Sequence, residues 1–266
     1  MRRILALIRI HWLTFTSYRL NVVFSIVGTL TTLVPVFLIG RALQPVVADS
    51  IANEGGVYFG FLVTGLAAMQ LVGVSIRSIP ASISGGISSG TLEALLATPA
   101  SMPQLLAGMT GYGMLWATAK AATLILAIVI FGGAIALKGL PLAILILVLL
   151  VLAHLPLGLL LASGVLVFRT TGPIGPTVMG AFGLLGGVYY STSVIPEVVR
   201  PLASLVPLTY GLRAFRRALL SGDSFSAVAV DLGVLALLAA VLMVVGLAAF
   251  RWSLRYARRT GTLSQY

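Results

Sequence analysis

The chain has 266 residues, of which 59% are apolar and only 9% are charged, and its mean hydropathy is +1.10. A soluble domain usually carries about 25% charged residues, so this composition excludes an ordinary water-soluble protein. The net charge of +11 does not indicate nucleic-acid binding, because no water-exposed domain of adequate size remains to carry the basic residues. Cysteine is absent, which excludes disulfides and thiolate metal sites.

The N-terminal segment, residues 1–20, is basic and amphipathic. It contains four arginines and a set of apolar residues that recur on one helical face, namely Ile4, Ile8, Trp12 and Phe15. This pattern predicts a helix that lies in the membrane interface. A basic leader without that role is the alternative.

Apolar runs long enough to cross a hydrocarbon layer of about 30 Å recur along the rest of the chain. The predicted spans are residues 21–41, 57–77, 110–137, 142–168, 174–192 and 228–250. The sequence therefore predicts an all-α membrane protein with six transmembrane helices, in which residues 21–266 form a single transmembrane domain.

Two connections between the spans have a distinct composition. Residues 78–104 are rich in Ser, Gly, Thr and Pro and form the main non-membrane connection. Residues 193–227 contain three prolines and several arginines, which makes them too polar for a simple span and too apolar for a free loop. They predict a broken, partly re-entrant segment before the last span, because irregular backbone at membrane depth survives only against protein or water.

The basic residues are distributed unequally between the two sides of the six-span arrangement. On the side of the termini are Arg2, Arg3, Arg9, Arg19, Arg77, Arg169, Arg251, Arg255, Arg258 and Arg259. On the other side are Arg41, Lys138, Arg200, Arg213, Arg216 and Arg217. Because cytoplasmic loops carry the excess of Lys and Arg, both termini and residues 78–104 are predicted to be cytoplasmic. A seven-span arrangement, which would move the last three arginines, is the alternative.

The sequence carries no recognisable catalytic or metal site. The only acidic residue inside a predicted span is Asp231, near the outer end of the last one, and it is interpreted as exposed at the membrane interface. No Asp or Glu lies near the middle of a span, which argues against transport coupled to protons or sodium. The nearest approach to a phosphate loop, Gly132 to Lys138, has Leu137 in place of the second glycine. His154 is interpreted as hydrogen-bonded to a helix neighbour rather than as a proton relay or metal ligand. The chain is not expected to be an enzyme, so any uphill transport must draw its energy from a partner.

The cytoplasmic connection contains a short amphipathic pattern. Residues 89–101 read Ser-Gly-Thr-Leu-Glu-Ala-Leu-Leu-Ala-Thr-Pro-Ala-Ser. A helix is predicted to begin at Thr91, with three leucines on one side and Glu93 on another, and to stop at Pro99 because proline cannot continue the hydrogen-bond ladder. Such a helix can dock on a soluble partner, although one that only rests on the membrane surface is equally compatible with the pattern.

This segment resembles the signature of the ABC-2 type exporter permeases, and Pro207-Leu208-Thr209-Tyr210 followed by Arg213 and Arg217 is similar to the motif before their last span. The resemblance covers essentially the whole chain. It implies six spans, an N-terminal interfacial helix, a cytoplasmic coupling helix within residues 84–101 and an extracytoplasmic re-entrant segment at residues 193–227. It also implies a multi-pass protein of the bacterial cytoplasmic membrane. Two copies of an ABC ATPase, which bind ATP and Mg, and a second permease subunit, expected to form a homodimer, are the implied partners besides the lipid bilayer.

The resemblance assigns roles to particular residues, and no cofactor is expected to bind this chain directly. The implied ATPase-coupling residues are Gly90, Thr91, Leu92, Glu93, Leu95, Leu96, Thr98 and Pro99. The implied wall of the transport pathway includes Gln70, Gly180, Gly183 and Gly187. The implied outer gate includes Pro207, Tyr210 and Arg213.

The cargo is predicted only as a class. Mostly apolar spans favour export of an amphipathic drug-like, antibiotic or lipid molecule, as in the multidrug and daunorubicin-resistance permeases. A polysaccharide or lipid-linked glycan exporter is the alternative, but it is expected to show rows of aromatics, and the 3 Trp, 8 Tyr and 11 Phe here lie mostly near span ends. A membrane scaffold or a channel is the alternative of another class, and it would have no ATPase partner.

Overall fold

The computed structural model describes residues 19–90, 102–168 and 174–259, and this part of the chain is almost entirely helical, without β-strands. Its α-helices are α1 (Arg19–Val47), α2 (Tyr58–Ser88), α3 (Met102–Ile130), α4 (Leu140–Phe168), α5 (Ile174–Leu185), α6 (Arg200–Ser204), α7 (Pro207–Arg216) and α8 (Phe225–Arg259). The connections include the 3₁₀ helices Asp49–Glu54, Leu137–Gly139 and Thr192–Val194 and the π-helical turn Arg217–Ser221.

Five of the described helices are long and apolar enough to cross a membrane. Their apolar stretches are Val23–Val47, Tyr58–Ser88, Ala107–Ile130, Leu137–Phe168 and Phe225–Ala257. They correspond to the first four predicted spans and to the last one. The prediction of an all-α, multi-pass membrane protein is therefore confirmed.

The predicted fifth span, residues 174–192, is only partly helical. Helix α5 has 12 residues, which corresponds to about 18 Å and is short of the roughly 30 Å of a hydrocarbon core. The helix ends at Leu185 because the chain turns at Gly187, whose φ of +77° is a left-handed conformation that favours glycine. The prediction of a continuous helix to residue 192 was wrong, and six full-length spans are not confirmed.

The boundaries of the second and third spans also differ from the prediction. Helix α2 continues to Ser88, through residues that were assigned to the cytoplasmic connection, because Ile79 and Ile83 are buried in an apolar cluster with residues of α4 and α8. Helix α3 begins at Met102 and ends at Ile130, before Gly132 with its φ of +82°. The predicted interfacial helix (residues 1–20) falls almost wholly outside the described residues, as does the part of the coupling helix from residue 91 to 101.

Residues 193–227 form a chain of short helical pieces rather than one span. The last residues of the 3₁₀ helix Thr192–Val194, then α6, α7 and the π-helical turn follow one another before α8 begins at Phe225. The broken character predicted for this segment agrees with the structure, and its depth in the membrane stays a prediction.

Helix α2 lies at the centre of the bundle. It is mostly buried and packs against α1, α3 and α4, whereas α1 is mostly exposed, and α4 packs along α8. The close helix contacts depend on glycine. A Cβ added at Gly158 of α4 would lie 2.6 Å from the Ser75 carbonyl oxygen of α2, and one at Gly246 of α8 would lie 2.8 Å from the Pro156 carbonyl oxygen of α4.

We predict that Gly158→Ala destabilises the protein although alanine has the higher helix propensity. The added methyl group meets the rigid backbone of α2, so the helices must separate, at a cost of about 1–3 kcal/mol. Gly164→Ala on the same helix is the matched control, because its Cβ has open space within 4 Å and the change is neutral or stabilising. The measurement is thermal unfolding of both purified variants in detergent. Equal unfolding temperatures would contradict the close contact.

Candidate functional site

A polar cavity of about 840 Å³ opens at the end of the bundle where α2 begins. Its walls come from the 3₁₀ helix Asp49–Glu54, from residues 191–193 and from the segment between α6 and Asp223. The lining residues are Ser50, Ala52, Asn53, Glu54, Ser191, Thr192, Ser193, Arg200, Ala203, Ser204, Thr209, Tyr210, Arg213, Arg217, Ser221 and Asp223. This end of an otherwise apolar bundle therefore has a polar concavity.

A fully buried arginine lies beneath this cavity. Arg216, at the end of α7, is 1% exposed and forms an ion pair with Glu54, with Nη1 3.0 Å from Oε2. Nη1 also donates to the Gly187 carbonyl oxygen at 2.9 Å, and Nη2 donates to those of Phe61 and Val188 at 3.0 and 3.2 Å. Nε donates to Thr64 Oγ1 at 3.4 Å, so each of the five N–H groups of the guanidinium has an acceptor.

The backbone around Arg216 is shaped to receive it. The left-handed turn at Gly187 directs two successive carbonyl groups at the guanidinium. Gly65 of α2 leaves room for it, because an added Cβ would lie 2.9 Å from Nη2 and 2.6 Å from the Val188 carbonyl oxygen. The Phe61 ring lies under the guanidinium, with its centroid 3.3 Å from Cζ. Arg216 thus ties α7 to α2, to the turn after α5 and to the 3₁₀ helix.

Side-chain hydrogen bonds hold the C-terminal end of the 3₁₀ helix Asp49–Glu54 in place. The Gln44 side chain, which precedes this helix in α1, binds the backbone that follows it. It accepts a hydrogen bond from the Tyr58 backbone N–H at 2.6 Å and donates to the Gly56 carbonyl oxygen at 2.7 Å. The second carboxylate oxygen of Glu54 accepts from Ser191 Oγ at 3.1 Å. Glu54 is therefore buried between two partners rather than displayed on a polar loop.

Two further ion pairs lie beside the buried one. Arg213 pairs with Asp231 of α8, with Nε 3.0 and 3.1 Å from the two carboxylate oxygens, and Arg217 Nε lies 2.8 Å from Asp223 Oδ2. Asp231 is 5% exposed, so its interpretation as an interface-exposed residue was wrong. It is buried against α7 because Arg213 compensates its charge.

These environments shift the pKa of two arginines in opposite directions. Burial lowers the pKa of Arg216 to about 10, and Glu54 opposes this shift, so the group stays charged at neutral pH. The hydrogen bond to Asp231 raises the pKa of Arg213 above its ordinary value, against a smaller effect of burial. Arg213 and Arg216 therefore both keep their positive charge at neutral pH.

The structure brings the implied outer-gate residues together. Pro207 begins α7, and Tyr210 and Arg213 line the cavity, with the Arg213 Cζ 5.5 Å from the centroid of the Tyr210 ring. The Tyr210 hydroxyl donates to the Ser204 carbonyl oxygen at 3.1 Å. Of the implied coupling residues only Gly90, with a φ of +66°, lies within the described part of the chain.

The implied pathway residues differ in their burial, and their assignment to a pathway stays a prediction. Gln70 is half-buried on α2, Gly180 is exposed on α5, and Gly183 is buried near Met69 and Tyr189. Gly187 belongs to the surroundings of Arg216. The sequence did not identify Glu54 and Arg216 as a pair, although the predicted spans put both residues on the same side of the membrane.

His154 lies apart from this site, in the interior of α4. It is fully buried, and its Nδ1 lies 2.7 Å from the Leu150 carbonyl oxygen, one turn earlier. This confirms the interpretation as a histidine bonded to a helix neighbour. Within the described ranges, no group of three or more His, Cys, Asp or Glu residues is placed to hold a metal ion.

The family follows from comparison with known proteins. The family model of the ABC-2 type transporters matches residues 2–220, which include both motifs and end beside the π-helical turn. The chain belongs to the ABC-2 type transporter family. This ABC-2 permease is a multi-pass membrane component of an ABC transporter and is not itself catalytic. No curated protein is significantly similar to it in sequence.

We predict that Arg216→Met strongly destabilises the permease. The substitution leaves the buried Glu54 carboxylate and three backbone carbonyl groups without their cation, at a cost of about 3–5 kcal/mol. Arg217→Met is the matched control, because it breaks a pair whose side chains are each 28% exposed and should cost about 1 kcal/mol or less.

The measurement is the thermal unfolding of both purified variants in detergent, together with the double variant Glu54→Met/Arg216→Met. The double variant should lose less stability than the two single changes combined, because it removes both buried charges. Similar losses for Arg216→Met and Arg217→Met would contradict the central role of Arg216.

Proposed function

We propose that this permease is the membrane subunit of an exporter that moves an amphipathic drug-like, antibiotic or lipid molecule out of a bacterial cell. Two copies would assemble, as a homodimer, with two copies of a separate ABC ATPase that binds ATP and Mg. The family match over residues 2–220 carries the proposal, since it includes the segment implied to couple the two proteins. The mostly exposed apolar surface of α1 fits a position against lipid or a second permease subunit.

The proposed coupling helix is the segment from Gly90 to Pro99, which would bind in a cleft of the ATPase. Leu92, Leu95 and Leu96 would pack there, and Glu93 would pair with a basic residue of the ATPase. This segment follows α2 directly, and α2 is the central helix of the bundle. A displacement of the coupling helix would therefore act first on α2.

Helix α2 offers a mechanical connection between the two ends of the permease. Phe61, Thr64 and Gly65 near its beginning contact Arg216 of α7, and Ser88 at its end precedes the coupling segment. The 28 residues from Phe61 to Ser88 correspond to about 40 Å of helix. In the proposal, ATP-driven movement of α2 shifts the segment with Pro207, Tyr210 and Arg213, which acts as the outer gate.

In the proposed orientation of the permease, the cavity and its ion pairs face the outside of the cell and both termini lie in the cytoplasm. Arg213, Arg216 and Arg217 pair with Asp231, Glu54 and Asp223, which lie on the same predicted outer side. This pairing supports the placement of the three arginines outside, because a seven-span arrangement would separate them from at least Glu54.

We predict that Glu93→Arg combined with Leu95→Asp prevents co-purification of the ABC ATPase encoded with this permease. The first change reverses the charge offered to the ATPase, and the second puts a carboxylate on the apolar docking side. The measurement is pull-down of the ATPase with the tagged permease from detergent extracts.

The matched control is Glu197→Arg combined with Leu202→Asp, which makes the same chemical changes at exposed positions near the other end of the bundle. This control should retain the ATPase. Retention of the ATPase by the Glu93/Leu95 variant would defeat the coupling-helix assignment, and a permease that never binds an ATPase would favour a scaffold or a channel.

A further inference from the structure

The polar cavity at the Arg216 end has the size of a ligand site. Its volume of about 840 Å³ lies within the range of roughly 300–1,000 Å³ that is usual for small-molecule sites. Its floor is buried at Glu54, Ser191 and Thr209, and its mouth is exposed at Ser193 and Arg200. A ligand can therefore enter from the end of the bundle without a rearrangement of the helices.

The lining is rich in hydroxyl groups and poor in apolar side chains. The hydroxyl-bearing residues are Ser50, Ser191, Thr192, Ser193, Ser204, Thr209, Tyr210 and Ser221. Asn53 adds an amide, and the alanines Ala52 and Ala203 are the apolar residues of the lining. Such walls suit a ligand group that is rich in oxygen rather than a hydrocarbon.

Arg200 gives the cavity an unbalanced positive charge. Arg213, Arg216 and Arg217 each have an acidic partner, and the two carboxylates of the lining, Glu54 and Asp223, are consumed in these pairs. Arg200 is exposed at the mouth, where Nη2 donates to the Ile195 carbonyl oxygen at 3.3 Å. Among the residues that the structure describes, no acidic side chain forms a salt bridge with Arg200.

We infer that this cavity binds an anionic, oxygen-rich group of the phosphate-ester class, with Arg200 as its principal contact. The remaining N–H groups of Arg200 and the exposed edge of Arg213 supply charged donors. The Asn53 amide and the hydroxyl groups of Thr192 and Ser221 supply neutral donors, whereas the other hydroxyl groups of the lining already donate within the protein. The inference deepens the proposed function, on which it rests for the outward orientation of the cavity. In that orientation, the phosphate group that binds in the cavity belongs either to the head of an amphiphile in the outer leaflet or to a soluble phosphate ester.

The test uses the purified full-length permease in uncharged detergent and three probes. Dihexanoyl phosphatidylglycerol presents an anionic lipid head, dihexanoyl phosphatidylcholine presents the same phosphate with a compensating cation, and glycerol 3-phosphate presents a soluble phosphate ester. Binding is measured by calorimetry. The expected result is that the phosphatidylglycerol binds at least about tenfold more tightly than the phosphatidylcholine, because the choline cation cancels the attraction.

Three variants connect this binding to Arg200. Arg200→Gln should weaken binding of the phosphatidylglycerol by about tenfold or more, and Arg200→Lys should retain most of it. Lys138→Gln is the matched control, because it removes an exposed positive charge at the same end of the bundle without lining the cavity. It should leave the affinity unchanged. Thermal unfolding of Arg200→Gln close to that of the unchanged permease shows that the fold is kept.

The binding results for the three probes and the variants either support or overturn the anionic site. Binding of glycerol 3-phosphate that depends on Arg200 indicates a phosphate site as such, and binding of the phosphatidylglycerol alone indicates a site for the lipid head. Equal binding of the two lipids, no binding of any probe, or equal losses in Arg200→Gln and Lys138→Gln would overturn the inference. Co-purification of the ATPase is an independent readout, so failure of this site and failure of the proposed exporter function are distinguishable.

Discussion

One buried guanidinium determines the architecture of one end of this permease. Transfer of a charge from water to a protein interior is costly, and the cost is offset only when an opposite charge and further hydrogen bonds surround it. Arg216 meets this condition with Glu54 and with acceptors from α2 and from the turn after α5. Because all these groups must stay in place together, four separate segments of chain are fixed relative to one another.

The polar cavity and the proposed gate both depend on this arrangement. Glu54 and Ser191 form part of the cavity floor, and their positions follow from the pair with Arg216. Arg213 and Arg217, on the same short segment, are paired with Asp231 and Asp223 and contribute to the wall. Helix α2 contacts Arg216 at one end and leads to the coupling segment at the other. In the proposed mechanism, the contacts with Arg216 therefore transmit a movement of α2 to the outer gate.

Much of the fold was predictable because membrane spans are encoded locally. Long apolar runs identified α1 to α4 and α8, and prolines with arginines identified the broken segment before α8. The end of α5 at Leu185 was missed, because Gly187 was assigned to the pathway wall inside a span, whereas it takes a left-handed turn. The pair of Glu54 and Arg216 was not predictable, since its residues lie 162 positions apart and only the packed bundle brings them together. The burial of Asp231 was missed because it depends on the packing of α7 against α8, which brings Arg213 to its carboxylate.

In the proposed orientation, the end held by Arg216 faces the outside of the cell and the segment from Gly90 to Pro99 faces the cytoplasm. Because the chain has no cysteine, the single substitutions Ser193→Cys and Ala94→Cys report on these two ends directly. The measurement is labelling with a membrane-impermeant maleimide in intact cells and after permeabilisation. We expect the cysteine at position 193 to be labelled in intact cells and the one at position 94 to be labelled only after permeabilisation. The opposite pattern would contradict this orientation.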